Sequence, residues 1–165
     1  MRGSNASSEQ DTCMVRLDGE VYRVVLSSKE PRVKGRVLLI AEVPASMVAS
    51  REHACTAAAE MLLNARRGRR VARNPYLNLL AFLLGVRSIA KIVQLVEELR
   101  GAEKVYIAIV SGDAAVEGVE EPRLDPTRYI ELLRHAGEKP PSLRGEAAAR
   151  YASTRTAAFS INLKL

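Results

Sequence analysis

The chain has 165 residues and a mass of 18.1 kDa, the size of one domain able to bury its own core. Hydrophobic residues make up 47% and aromatics 4%, with no Trp, which excludes a disordered tail protein and predicts a core of Ala, Leu, Val and Ile. Lys and Arg number 25 against 19 Asp and Glu, a formal net charge of +6 that permits a nucleic acid or an acidic surface as partner without identifying one.

Residues 1–11 (MRGSNASSEQD) are small and polar and read as a disordered tail ahead of a single domain over 12–165. No apolar stretch opens the chain as a signal peptide does. The longest apolar run, Leu79 to Val86, is far short of the roughly 20 residues that cross a bilayer. Cys13 and Cys55 stand 42 positions apart, with neither a metal-ligand nor a disulfide-scaffold spacing. The expectation is a soluble cytoplasmic protein with two reduced thiols and no membrane segment.

Val21 to Leu26 is β-branched and partly alternating, and Arg36 to Ala41 is a short apolar run, so both read as strands around a loop at Ser27 to Gly35. A helix opens at the N-cap Ser50, with Glu52 in its first turn. Ala54, Ala57, Ala58, Met61, Leu62 and Ala65 give that helix one narrow apolar face, and Gly68 ends it. Asn74-Pro75 starts a second helix, with Leu77, Leu80, Ala81 and Leu84 on its buried side and Gly85 as its stop. A third runs from Ser88 to Leu99. Lys104 to Val110 is the clearest strand, and Asp125-Pro126 caps a fourth helix reaching His135. Glu146 to Tyr151 reads helical, and Phe159 to Leu165 alternates like a last strand. The sum predicts an α/β or α+β domain, a small mixed sheet covered by helices.

Catalytic constellations are hard to find. The chain lacks G-x-x-x-x-G-K-[ST], and no G-x-G-x-x-G follows its early strands. Ser111-Gly112-Asp113 reads as a turn. His53 and His135 have no partner at ligand spacing, so neither zinc nor another cofactor is expected. His53 is read as a packing or hydrogen-bonding residue and His135 as a helix-end cation. Glu97-Glu98 and Glu120-Glu121 are adjacent residues and read as solvated surface.

One segment does concentrate charge. Arg66, Arg67, Arg69, Arg70 and Arg73 lie within eight positions around Gly68, between two helices. Guanidinium groups this close repel one another unless solvent or an anion relieves them, and arginine presents a two-pronged geometry to phosphate. Two readings follow, a phosphate-binding turn and a merely solvated helix end. Aromatic stacking partners are scarce, Tyr76 and Phe82 being nearest.

From about Val43 to Val110 the residues resemble a family. Ser50-x-Glu52-His53 opens an Ala-rich helix, a basic turn follows, and Leu79-Leu80-x-x-x-x-Gly85-x-Arg87-x-Ile89 precedes a helix and a strand. This pattern is similar to the kinase-binding subunits of the KEOPS/EKC complex, the PRPK-binding proteins. The chain departs from it at Asn78, where the family usually has Glu, at Leu84, where it has a small polar residue, and at Ser88, where it has Gln. The resemblance implies a non-catalytic subunit without a cofactor or small-molecule substrate. Such subunits bind the small atypical kinase/ATPase and support threonylcarbamoylation of adenosine in ANN-decoding tRNAs. Archaeal relatives also hold the single-stranded 3′ CCA end of tRNA.

Carried onto this sequence, the resemblance makes Gly85 a point where an RNA backbone approaches closely and Arg87 a phosphate- or base-binding residue. The five arginines and Lys91 would widen that surface. Phe159, Ile161 and Leu163 are candidates for docking the kinase if the C-terminal segment is an edge strand. An adaptor that binds the kinase and never touches RNA is an alternative. A small enzyme with a dispersed site at Glu52, His53 and Cys55 is another.

Overall fold

The computed structural model describes residues 13–163; the tail expected over 1–11 lies outside the described residues. Alternation of apolar side chains decides how the strands are used. In β1 (Cys13–Leu17), β2 (Glu20–Ser27), β4 (Val37–Pro44) and β5 (Lys104–Ser111), successive residues point to opposite faces of one four-stranded sheet ordered β1-β2-β5-β4, apart from a register irregularity between Val37 and Leu39 in β4. Tyr22, Val24 and Leu26 of β2 and Val105, Ile107 and Ile109 of β5 face the main core. Val25, Ala108 and Val110 face the other way, into a small second cluster with Ala114. That second face is covered by a two-stranded ribbon, β3 (Arg32–Lys34) with β6 (Ala115–Glu117), whose Val33 and Val116 pack on it. Every ladder is antiparallel, so the expected sheet is present but not mixed in direction.

Among the described residues, five helices bury the main face: α1 (Arg51–Arg66), α2 (Pro75–Leu84), α3 (Ile89–Glu98), α4 (Pro126–His135) and α5 (Gly145–Asn162). Four begin at side-chain caps. Ser50 Oγ accepts from the His53 amide, and Asn74 Oδ1 accepts from Tyr76 and Leu77. Ser88 accepts from Lys91, and Asp125 from Thr127. Each cap satisfies amides that the first turn leaves without partners. Apart from Asn78, helix α2 is apolar on all sides, and Leu79 to Leu84 are each 0% exposed, as suits a helix at the centre of the fold. It ends at Gly85, whose φ of 65° closes a left-handed cap.

Helix α5 replaces the strand expected over Phe159 to Leu165. It continues from Gly145 through Asn162, so Phe159, Ser160 and Ile161 are helical. Phe159 and Leu163 are four residues apart, which in a helix is one face; both pack on the core, whereas Ile161 is 62% exposed. Phe159 stands edge-on to Phe82 with ring centroids 5.3 Å apart. The last two positions of the expected strand lie outside the described residues.

The cysteines also differ from expectation. Cys13 on β1 and Cys55 on α1 form a disulfide with Cα atoms 5.9 Å apart. Linear spacing does not reveal this pair because the edge strand lies beside the helix, a proximity that only the tertiary fold creates. Among the described residues, no single helix is long and apolar enough to cross a membrane.

Candidate nucleic-acid interface

The basic turn between α1 and α2 is held by backbone acceptors, with Arg67, Arg70 and Arg73 exposed and Arg69 half-buried. The Asn64 carbonyl accepts from the amides of Arg67 (3.0 Å) and Arg69 (2.8 Å), and the Ala65 carbonyl from Gly68 (3.1 Å). Asn78, buried on α2, turns Oδ1 to the amides of Val71 (2.9 Å) and Ala72 (3.3 Å). The segment is thus pinned at both ends from the helices beneath it. We expect Asn78→Leu to cost about 2 kcal/mol by stranding those amides, with faster hydrogen exchange confined to residues 71–72.

Charge divides the five arginines. Arg66 is neutralised by the β1–β2 turn, with Asp18 at 2.8 Å and Glu20 at 2.5 Å. Hydrogen bonds from Tyr22 and Arg66 hold the Glu20 carboxyl below the usual range. Arg67, Arg69, Arg70 and Arg73 make no ion pair among the described residues, and Arg69 Nη1 is buried without a hydrogen-bond partner there. Four cations sharing a short pinned turn without carboxylates create a local field that favours a polyanion.

The other expected contacts are engaged within the protein. Gly85 does not face open space: a Cβ there would lie 2.9 Å from Arg155 Nε. Arg155 donates from Nε to the Leu84 carbonyl (2.8 Å) and from Nη2 to the Gly85 carbonyl (3.2 Å), capping α2. It also pairs with Glu138 at 2.7 Å, and Lys91 reaches the second oxygen of that carboxylate at 3.1 Å. Burial raises the Glu138 carboxyl, but Arg155 and Lys91 outweigh it and the net shift is downward. Arg87 is exposed and donates to the Asn162 carbonyl (2.9 Å) at the end of α5.

That last turn of α5 ties the two regions together. Ser160 accepts from Asn64 Nδ2 at 2.7 Å beside the basic turn, while Asn162 takes Arg87. The turn and Arg87 therefore flank one helix end. Asn64, Asn78 and Arg155, which hold this region, were not recognised from the sequence. Asn78 carried a usable signal, since a polar side chain in an otherwise apolar helix must find a buried partner. Nothing in the spacing of Arg155 points to Gly85.

The dispersed trio is not assembled. His53 is 0% exposed. Its Nδ1 accepts from the Ala49 amide (3.0 Å), so Nε2 carries the proton and donates to the Leu83 carbonyl (2.9 Å). Burial lowers its pKa to about 4 against the opposing pull of Leu83, so the ring is neutral at pH 7. Cys55 is cross-linked and Glu52 is exposed. His135 donates to Glu98 at 2.8 Å on the surface. Among the described residues, no three His, Cys, Asp or Glu side chains gather as a metal site. The chain matches no family model, and no curated protein matches its sequence.

Proposed function

We infer that the chain is an RNA-binding adaptor without catalytic groups of its own, and that it serves as the kinase-binding subunit of a KEOPS-type complex in the cytoplasm. The observation that carries the RNA half is the set of four arginines, Arg67, Arg69, Arg70 and Arg73, without carboxylate partners among the described residues on a turn pinned by Asn64 and Asn78. Arg87, at the neighbouring helix end, extends that surface. The kinase half rests on the sequence resemblance over Val43 to Val110, with Ile161 as an exposed apolar contact. In this role the protein holds the 3′ CCA end of ANN-decoding tRNAs while the partner complex performs threonylcarbamoylation, and it needs no cofactor.

The test is binding to a full tRNA and to the same tRNA lacking its CCA end, across a salt series. Tight binding that disappears with the CCA end, and weakens on Arg87→Ala, is the expected result. Changing Arg67, Arg69, Arg70 and Arg73 to Gln is expected to flatten the log–log salt dependence by up to about 2.8, at about 0.7 for each single-strand phosphate contact. Equal affinity for both tRNAs reduces the site to a generic basic surface.

A second reading, a kinase adaptor that never touches RNA, is favoured by the internal engagement of Arg66, Lys91 and Arg155. Undetectable tRNA binding at low salt, with kinase binding retained, selects it.

A further inference from the structure

The disulfide has no part in the adaptor reading, yet it sits where it can govern the basic turn. Among the described residues, strand β1 is the edge of the sheet, paired on one side only, from Cys13↔Val24 to Leu17↔Glu20. Among its five residues only Val15 is buried, and Met14 is 50% exposed. Two clasps fasten this strand along α1. One is the Cys13–Cys55 bond, and the other is Arg66 gripping Asp18 and Glu20 where the hairpin turns. Their spacing matches. The helix rises about 16 Å from Cys55 to Arg66 at 1.5 Å per residue, and the strand advances about 17 Å from Cys13 to Asp18 at about 3.3 Å. Strand β2 does not depend on β1, because its other side is paired with β5 from Tyr22↔Ser111 to Ser27↔Tyr106.

We propose that the Cys13–Cys55 disulfide is a redox latch on the edge strand that sets whether Arg66 belongs to the hairpin or to the RNA-binding turn. Both cysteines are partly exposed, which gives an attacking thiolate access. A dithiol reductant opens the latch: one thiolate attacks a cysteine sulfur, the Cys13–Cys55 bond breaks, and the second thiol resolves the mixed disulfide. Two electrons and two protons pass to the protein, leaving two cysteine thiols and the reductant's own disulfide. Strand β1 then separates from α1 and β2 and takes Asp18 with it. Arg66 keeps Glu20 and the Tyr22 hydroxyl (3.3 Å) but loses one of its two carboxylates, which raises the positive charge offered to phosphate beside Arg67, Arg69 and Arg70. The latch itself stands on the geometry of β1 and α1, whereas its effect on RNA rests on the adaptor reading.

The experiment compares the oxidised protein with the same protein treated with dithiothreitol, by hydrogen exchange and by binding to a single-stranded CCA-ending oligonucleotide across salt. On reduction, exchange in residues 13–17 is expected to accelerate at least 10-fold with β4 and β5 unchanged, and reoxidation restores protection. The salt slope is expected to steepen by about 0.7, one further single-strand phosphate contact, and Arg66→Gln removes that difference. Unchanged exchange in β1, or loss of the whole fold on reduction, overturns the latch. Release of β1 with identical salt slopes overturns its control of the site. No binding in either state overturns the RNA reading, and the exchange data still decide the latch.

Discussion

Acidification from pH 7 to pH 4 is expected to remove about 3 kcal/mol of stability through His53 alone. The folded ring has its pKa depressed from the ordinary 6.5 to about 4, and each unit of difference is worth about 1.4 kcal/mol. Above pH 6.5 both folded and unfolded chains carry the neutral ring, and no penalty arises. Between 6.5 and 4 the unfolded chain takes up the proton and the folded chain does not, so stability falls as pH falls. Below about 4 both are protonated and the loss levels off. The folded state resists because burial penalises the charged ring, and protonation would also turn Nδ1 into a donor facing the Ala49 amide, itself a donor. Urea midpoints from pH 8 to 4, for the native protein and for His53→Gln, isolate this effect from the carboxylates. A variant profile parallel to that of the native protein means that His53 does not resist protonation.

The second large effect separates two neighbours on α5. Phe159→Ala is expected to cost about 3–5 kcal/mol, the range for emptying an aromatic site in a packed core, because Phe159 is 8% exposed and stacks edge-on with Phe82. Ile161→Lys, two residues on and 62% exposed, is expected to shift stability by less than about 0.5 kcal/mol. In the adaptor role it also weakens capture of the kinase subunit. Denaturant midpoints read the first difference and co-purification with the kinase reads the second. Equal destabilisation by the two changes contradicts the assignment of Phe159 to the interior.

These paired residues show what local pattern conveys. Polar caps before apolar periodicity were readable: Ser50, Asn74-Pro75, Ser88 and Asp125-Pro126 each start a helix as expected. The long strands were legible locally, β2 from its β-branched alternation, β4 from the short apolar run Arg36 to Ala41 and β5 from Lys104 to Val110. The short strands β1, β3 and β6 were not, since three to five residues hold too little alternation and exist through their partners. Phe159 to Leu165 was misread because alternation over a few residues also places Phe159 and Leu163 at helical spacing. The Ala-rich stretch before it, with Ala148, Ala152 and Thr156 as its buried line, decides for helix. Composition located the arginine cluster, but which of its members carry a carboxylate depends on a hairpin far away in sequence. The disulfide escaped for the same reason.

The position of α5 in the chain has a consequence for biosynthesis. Thr156 donates to the Phe82 carbonyl at 2.7 Å, Arg155 caps α2, and Asn64 of α1 binds Ser160, so α1 and the central helix are completed by residues made after them and after the described strands. A nascent chain emerging at roughly 5–20 residues per second therefore holds all the described strands and the helices α1 to α4 while the seat of Ala148, Ala152 and Phe159 stands uncovered. Closure waits for residues 145–162, and a ribosome stalled before them presents an apolar groove to chaperones instead of a finished domain.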